Sequence, residues 1–328
     1  MEKDGIMRVG IIGAGHIAEK AAETLNGMHN CEAYAIGSRS IEKAESFAKR
    51  WNIPSFYGSY RELIEDPKVD LIYVATPHSH HYQVTKEAIE AGKACLVEKA
   101  FMANSREAKE ILELARKHNV FVAEAIWTRY QPAVEIINGL IKEGRIGEPK
   151  MITGTVGYEI SGKERIMRPE LCGGSLLDLG VYVINFARMF SDSRILEIEG
   201  SCIKSETGVD LSNAITMIME NGILANLQSS AVCVTDNIGV IAGTKGNLIV
   251  NNVNNPEKVT INGLGREFIE EIILPSRATN FEYQFEVCRR CLIAGELEPK
   301  EMPWSEIIYI MEIMDGLRKK WGVKYPMD

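Results

Sequence analysis

A chain of 328 residues that is 45% hydrophobic and 25% charged has ample material for two domains with substantial cores. Its net charge of −8 without a strong basic cluster speaks against nucleic acid or an anionic membrane as partner, and no apolar run reaches membrane-spanning length. Seven scattered cysteines fit free thiols in a reducing compartment, and Met1-Glu2-Lys3-Asp4 is not the basic start of a secretion signal, so the expected location is cytoplasmic.

The first element is the apolar run Arg8-Val9-Gly10-Ile11-Ile12, followed at once by Gly13-Ala14-Gly15-His16-Ile17-Ala18. A buried strand that ends in a glycine turn and opens a helix holds a pyrophosphate at the helix N-terminus. Gly13 permits the turn and Gly15 lets the backbone approach the anion, while His16 and Ile17 open the helix and join the cofactor-binding candidates. The helix is expected over 17–28 and a second strand over 32–36. At the end of that strand, Gly37-Ser38-Arg39-Ser40 offers no carboxylate for a ribose 2′-hydroxyl. Ser38, Arg39 and Lys43 instead suit a 2′-phosphate, so NADP(H) is preferred and NAD(H) is the second choice.

Helices are expected next over 41–51 and 60–65, a strand over 71–75, a helix over 80–91, a strand over 94–98, a helix over 105–118 and a strand over 120–123. This alternation predicts a doubly wound parallel sheet with helices on both faces. Two strand ends face the place where a nicotinamide would emerge. One gives Thr76-Pro77-His78-Ser79-His80-His81, the other Glu98-Lys99-Ala100. The three histidines have no metal-ligand spacing, and no metal is expected. His81, at the helix start, is expected to cap or pack near the cofactor and His78 to line the substrate cleft. Lys99, directly after a buried strand, is the stronger chemical candidate, because burial and a cationic oxidised ring both favour its neutral, proton-accepting form.

Near residue 125 the pattern changes, which sets a dinucleotide-binding domain at 1–125 and a substrate-binding and dimerisation domain at 126–328. After a helix over 133–143, strands are expected over 150–158, 195–204, 214–220, 224–232, 238–243, 247–251, 258–261 and 268–273, with short turns that imply a large, mostly antiparallel open sheet in an α+β domain. Helices over 281–294 and 305–321 close the chain, and Cys288-x-x-Cys291 on the first of them reads as core thiols. A wide sheet covered on one face buries its other face most simply against a second copy, so a homodimer or higher homo-oligomer is expected. Within this half, Gly173-Gly174 precedes a helix on which Asp178 and Tyr182, four residues apart, are expected to point into a cleft together. Substrate specificity is expected in loops such as 161–171, whose charges (Lys163, Glu164, Arg165, Arg168) either contact an anionic or polyhydroxy substrate or, the preferred reading, are solvated.

Taken together, Gly13 to Ala18, Thr76-Pro77 with His81, Glu98-Lys99 and Gly173-Gly174 through Asp178 and Gly180 resemble the family of glucose-fructose oxidoreductase and inositol dehydrogenase (Gfo/Idh/MocA). The segments 124–130, 177–182, 206–210, 243–246 and 322–328 are similar to its dimeric dihydrodiol dehydrogenase branch. The resemblance spans nearly the whole chain. It implies a nicotinamide-binding N-terminal domain, a C-terminal sheet used for dimerisation and reversible hydride transfer at a secondary alcohol or ketone. The substrate would be a sugar, polyol, inositol or trans-dihydrodiol.

The resemblance makes Lys99 essential and matches Tyr182 to the branch's tyrosine. It adds Thr76, Pro77, Glu98, Trp127 and Arg129 to the cofactor-binding candidates, with Trp127 and Tyr158 also beside the substrate. Ala100 stands where the family usually has proline, often after a cis peptide, which leaves the Lys99-Ala100 bond open between cis and trans. The implied mechanism has Tyr182 and Lys99 jointly handling the hydroxyl proton, with the ammonium favouring the phenolate of a group whose ordinary pKa is about 10. Asp178 would fix the substrate or orient Lys99. Two alternatives use the same fold: an NAD-dependent glycoside hydrolase and a non-catalytic NADP(H)-binding sensor.

Overall fold

The computed structural model describes residues 5–328; the reading of Met1-Glu2-Lys3-Asp4 as no secretion signal lies outside the described residues. Two compact units form. Among the described residues the first comprises 5–127, Arg277–Met311 and Met327, the second Thr128–Ser276, Glu312–Pro326 and Asp328.

In the first unit the elements alternate as β1 (Met7–Ile12), α1 (His16–Asn26), β2 (Cys31–Gly37), α2 (Ile41–Trp51), β3 (Ser55–Tyr57), α3 (Tyr60–Ile64), β4 (Leu71–Val74), α4 (His78–Glu90), β5 (Ala94–Glu98), α5 (Ser105–His118) and β6 (Val122–Ala125). The strands pair in parallel in the order β3-β2-β1-β4-β5-β6. Their apolar runs are buried on both faces, as a sheet sandwiched between helices requires. The order reverses between β1 and β4, and in such sheets the ligand crevice opens at the carboxyl ends beside that reversal. Several bounds differ from the sequence expectation: α1 ends two residues before 28, and β6 lies two residues later than 120–123. Strand β3 carries no alternation and is half exposed, and α4 begins two residues early because Pro77, in extended conformation, takes the N-cap.

The second unit contains α6 (Pro132–Lys142), β7 (Pro149–Gly157), α7 (Glu164–Met167), a π-helical turn at Leu176–Gly180, α8 (Val181–Met189) and seven further strands. These are β8 (Ile195–Lys204), β9 (Asp210–Met219), β10 (Leu224–Ser230), β11 (Gly239–Gly243), β12 (Gly246–Asn251), β13 (Lys258–Gly263) and β14 (Phe268–Ile273). They form one sheet in the order β14-β13-β12-β11-β7-β10-β9-β8. All pairs are antiparallel except β7 with β10. Helix α8 covers the inner face: Phe186 fills the space that a side chain at Gly239 would need, within 2.3 Å.

On the outer face, one row in register runs Thr216, Asn226, Thr153, Val240, Ile249 and Thr260, and the next runs Ile218, Leu224, Met151, Ala242 and Asn247. No charged side chain stands in either row. Charge begins where these rows end, with Glu199 opposite Thr216 and Glu271 opposite Thr260.

Helix α9 (Glu282–Ala294) lies in the first unit, although the sequence reading placed everything after residue 125 in the second. The reason is packing. Phe285 meets Tyr73 of β4 edge to face at 5.6 Å, and Arg289 donates to the Gly5 carbonyl. In the same unit, Trp304 Nε1 donates to the Val122 carbonyl at 2.8 Å, at the first residue of helix α10 (Trp304–Trp321). Cys288 and Cys291 are buried free thiols, and burial pushes Cys291 up to about 12. No helix among the described residues is long and apolar enough to cross a membrane.

Candidate active site

At the reversal between β1 and β4, Gly13 has φ +103°, and a Cβ there would lie 2.6 Å from the Ala75 carbonyl oxygen. Only glycine lets the two strand ends approach this closely. Gly15 is the extended N-cap of α1, makes no side-chain cap bond and has open space where its side chain would be. Ala14, Gly15 and His16 are exposed. The first N–H groups of α1, on His16, Ile17 and Ala18, thus have no intrahelical acceptor, beside open space. That is a cradle for a pyrophosphate, and the residues present fit a dinucleotide.

Beyond the end of β2, Ser38 is buried and its Oγ accepts the Ser40 N–H, while Ser40 Oγ accepts the Lys43 N–H at 3.3 Å and donates to Glu42 at 2.6 Å. Arg39 and Lys43 are exposed. Arg39 lines a cavity of about 570 Å³ with Ser40, Glu42, Ser59 and Glu62. Both acids there are engaged. Glu42 takes the Ser40 hydroxyl, which lowers its pKa, and Glu62 closes a capping box with Ser59. Arg39 makes no hydrogen bond or ion pair among the described residues, so its guanidinium is available to an anion.

The loops after β4 and β5 are bound to one another by histidines. His78 Nε2 donates to the Lys99 carbonyl at 3.0 Å. His81 is fully buried; Nε2 lies 2.9 Å from the Thr76 carbonyl oxygen, and Nδ1 lies 3.1 Å from the carbonyl oxygens of both Ala100 and Phe101. Burial lowers its pKa, with the three carbonyls pulling the other way. His81 therefore braces the loops and has no surface to offer a cofactor directly. The rings of His78 and His81 sit edge to face at 5.5 Å. Thr76 and Pro77 lead into α4 from the same strand end, and Thr76 Oγ1 is buried without a hydrogen-bond partner. No group of three or more His, Cys, Asp or Glu among the described residues could hold a metal.

Glu98 is buried at the end of β5, takes the Tyr73 hydroxyl on Oε1 and accepts the Lys99 N–H on Oε2 at 3.3 Å. Lys99 is half-buried, and the Lys99-Ala100 peptide is cis. Its backbone is thereby held by His78 and Glu98 at the carboxyl edge of the sheet. One neighbour was not legible in the sequence. Lys20 of α1 stands 4.3 Å from the Trp127 ring centre and 4.1 Å from that of Phe281, and burial chiefly lowers its pKa while Glu98 and Glu282 raise it.

In the second unit, the glycine pair does not open toward a ligand. A side chain at Gly173 would collide with the Ile166 carbonyl oxygen at 2.4 Å, and one at Gly174 (φ +114°) with Asp210 Oδ1 at 2.4 Å. The glycines admit α7 and a buried carboxylate instead. Asp178 lies on the π-turn and Tyr182 on the first turn of α8, so the plain four-residue helical spacing expected between them does not hold across the junction. Both are nearly fully buried. Arg165, read as part of a solvated loop, forks onto Asp178 with Nη1–Oδ1 at 2.7 Å and Nη2–Oδ2 at 3.2 Å. Asp210 accepts the Leu176 N–H at 2.8 Å and Asn213 Nδ2 at 2.9 Å on one oxygen, while the other has no partner. Burial pushes its carboxyl up to about 6. Arg129 donates from Nε to Asn185 of α8 at 2.5 Å, and Tyr158 donates to Asn254 at 3.0 Å.

Residues 7–125 match the oxidoreductase family with NAD-binding Rossmann fold, and residues 134–249 match the GFO/IDH/MocA C-terminal domain. The trans-1,2-dihydrobenzene-1,2-diol dehydrogenase of Xenopus tropicalis is 36% identical over 97% of this chain and 98% of its own, and that of Mus musculus 32% over 98% and 99%. A 3-ketoreductase from Actinomadura kijaniata, solved with NADP and TDP-benzene, superposes with a TM-score of 0.86 at 25% identity, covering 96% of this chain and 97% of that one. An aldose-aldose oxidoreductase from Caulobacter crescentus shares the fold with a TM-score of 0.87 at 20% identity, covering 96% and 97%. The chain belongs to the GFO/IDH/MocA oxidoreductase family and is an NAD(P)-dependent oxidoreductase.

Proposed function

We propose that this enzyme uses NADP(H) to interconvert a secondary alcohol and a ketone on a sugar, polyol, inositol or trans-dihydrodiol. The observation that carries the reading is Lys99: a half-buried lysine whose backbone is held by His78 and Glu98 at the same sheet edge as the open N-terminus of α1. The names of the diol dehydrogenase relatives and of the NADP-bound ketoreductase support the substrate class and the cofactor. Arg39 supports NADP(H) over NAD(H), since a guanidinium without an ion pair beyond the end of β2 suits a 2′-phosphate.

Bound cofactor supplies the hydride acceptor or donor. The chain's part is proton handling and orientation. Tyr182 takes the substrate hydroxyl proton in oxidation and returns it in reduction, Lys99 lowers the cost of the phenolate by its positive charge, and Asp178 receives a substrate hydroxyl. His81 acts indirectly, by holding the loop that carries Lys99. The two uncharged rows across the outer side of β9, β10, β7, β11 and β12 support a homodimer formed through those strands.

The test is a screen of sugars, inositols, deoxy-keto sugars and trans-diols with each cofactor, followed at the reduced-nicotinamide absorbance. Turnover is expected with NADP(H) at a kcat/KM at least about tenfold above that with NAD(H). No absorbance change with any compound overturns the reading, and release of free sugar without net cofactor turnover replaces it with glycoside hydrolysis.

A further inference from the structure

We infer that Arg165 is a positioning residue for the reaction proposed above: docked by its backbone against the Gly173-Gly174 turn, it fixes the Asp178 carboxylate in one orientation for substrate. The inference rests on that functional reading and on a constellation in the second unit alone. The side chain of Asp178 is 7% exposed, and a carboxylate that deep needs a counter-charge and a fixed set of donors. Arg165 gives both through one planar fork, a bond to each oxygen.

The contact is built rather than incidental. Helix α7 is only four residues long and could not hold a side chain in place by itself. It is tied down at three carbonyls instead. Gly174 N–H donates to Ile166 at 2.8 Å, Gly173 N–H to Arg168 at 3.0 Å, and the Thr207 hydroxyl to Met167 at 2.7 Å. Ile166 is fully buried beneath. The approach is so close that any side chain at Gly173 would stand 2.7 Å from the Arg165 carbonyl oxygen as well as 2.4 Å from that of Ile166. A side chain at Gly173 would thus displace the backbone that carries Arg165. Its neighbours behave differently: Arg168 pairs with exposed Glu164 and Glu170, on the outside of the loop.

The test compares Arg165→Met, which keeps the stem and removes the charge, with Arg165→Lys, which keeps the charge and removes the fork. Arg165→Met is expected to lose at least about tenfold in kcat with cofactor Kd and Tm nearly unchanged, Arg165→Lys to fall between it and the wild type, and guanidinium ion to restore part of the activity of Arg165→Ala where methylammonium does not. An Arg165→Met enzyme within about twofold of wild-type kcat overturns the inference, as does a loss of kcat matched by equal losses in Tm and cofactor affinity. If the wild type turns over none of the screened compounds, the functional reading fails by itself. The crystal structure of Arg165→Met then decides the inference: a re-oriented Asp178 carboxylate supports it and an unmoved one contradicts it.

Discussion

The His78 ring donates to the carbonyl oxygen of Lys99 across 3.0 Å, joining the loop after β4 to the loop after β5. A carbonyl can only accept, so Nε2 carries the proton and the neutral tautomer suffices. The bond fixes the backbone from which the Lys99 side chain extends.

Removing the ring by His78→Ala should therefore act on Lys99 at one remove. The expected cost is about 1 kcal/mol of stability, from one hydrogen bond, and about a tenfold fall in kcat. Cofactor affinity should hold. Thermal unfolding, steady-state kinetics and a cofactor titration on the same preparation check the three parts, and an unchanged kcat would separate His78 from catalysis.

Arg39→Ala tests the cofactor assignment. Loss of a guanidinium that contacts a phosphate should raise the Kd of NADPH by about 10- to 100-fold and leave that of NADH within about twofold. Equal effects on both would mean that Arg39 does not read the 2′-phosphate.

Much of this was legible beforehand. Helices α2 and α5 and strands β5, β8 and β14 were placed to the residue, since strict periodicity and caps such as Ser40 and Asn104 mark their ends. Position in the fold singled out Lys99 and the glycine turn of α1. What the sequence hid depends on long-range contact. Arg165 and Asp178 are 13 residues apart, so nothing local distinguishes Arg165 from exposed Arg168. Asp210 ends the 206–210 segment of the resemblance, but its burial has no local mark, and the unit membership of α9 follows from Phe285 meeting Tyr73. The π-turn leaves no periodic trace, and the burial of His81 among backbone carbonyls depends on loops distant in sequence.

Asp210 makes a pH prediction. Its carboxyl is raised by burial from 3.8 to about 6, against the opposing pull of Asn213, the Leu176 N–H and Arg318. The folded state therefore keeps a proton that the unfolded state has released. The stabilisation is complete below the unfolded value and is lost as pH rises through about 6, an effect of up to about 3 kcal/mol. Asp210→Asn should remove this slope, so that the stability of the variant relative to wild type increases between pH 4 and pH 7. Urea unfolding across that range checks it, and a constant difference would contradict it.

Thr153 and Asn226 are register partners in the middle of an uncharged row on the outer side of the central strands. The double change Thr153→Glu and Asn226→Glu would place like charges at the centre of a two-fold contact. Sedimentation velocity should show a dimer for the wild type and a monomer for the variant, with unchanged circular dichroism. A wild type that sediments as a monomer would remove the proposed contact.

The most direct measurement is single-turnover hydride transfer by Lys99→Ala with NADPH bound, once the screen has supplied a substrate. A fall of about 10²- to 10⁴-fold in the rate is expected, with cofactor Kd within about twofold of wild type. A variant that keeps most of its rate would contradict the role given to Lys99 in supporting the Tyr182 phenolate, and with it the account given for this enzyme.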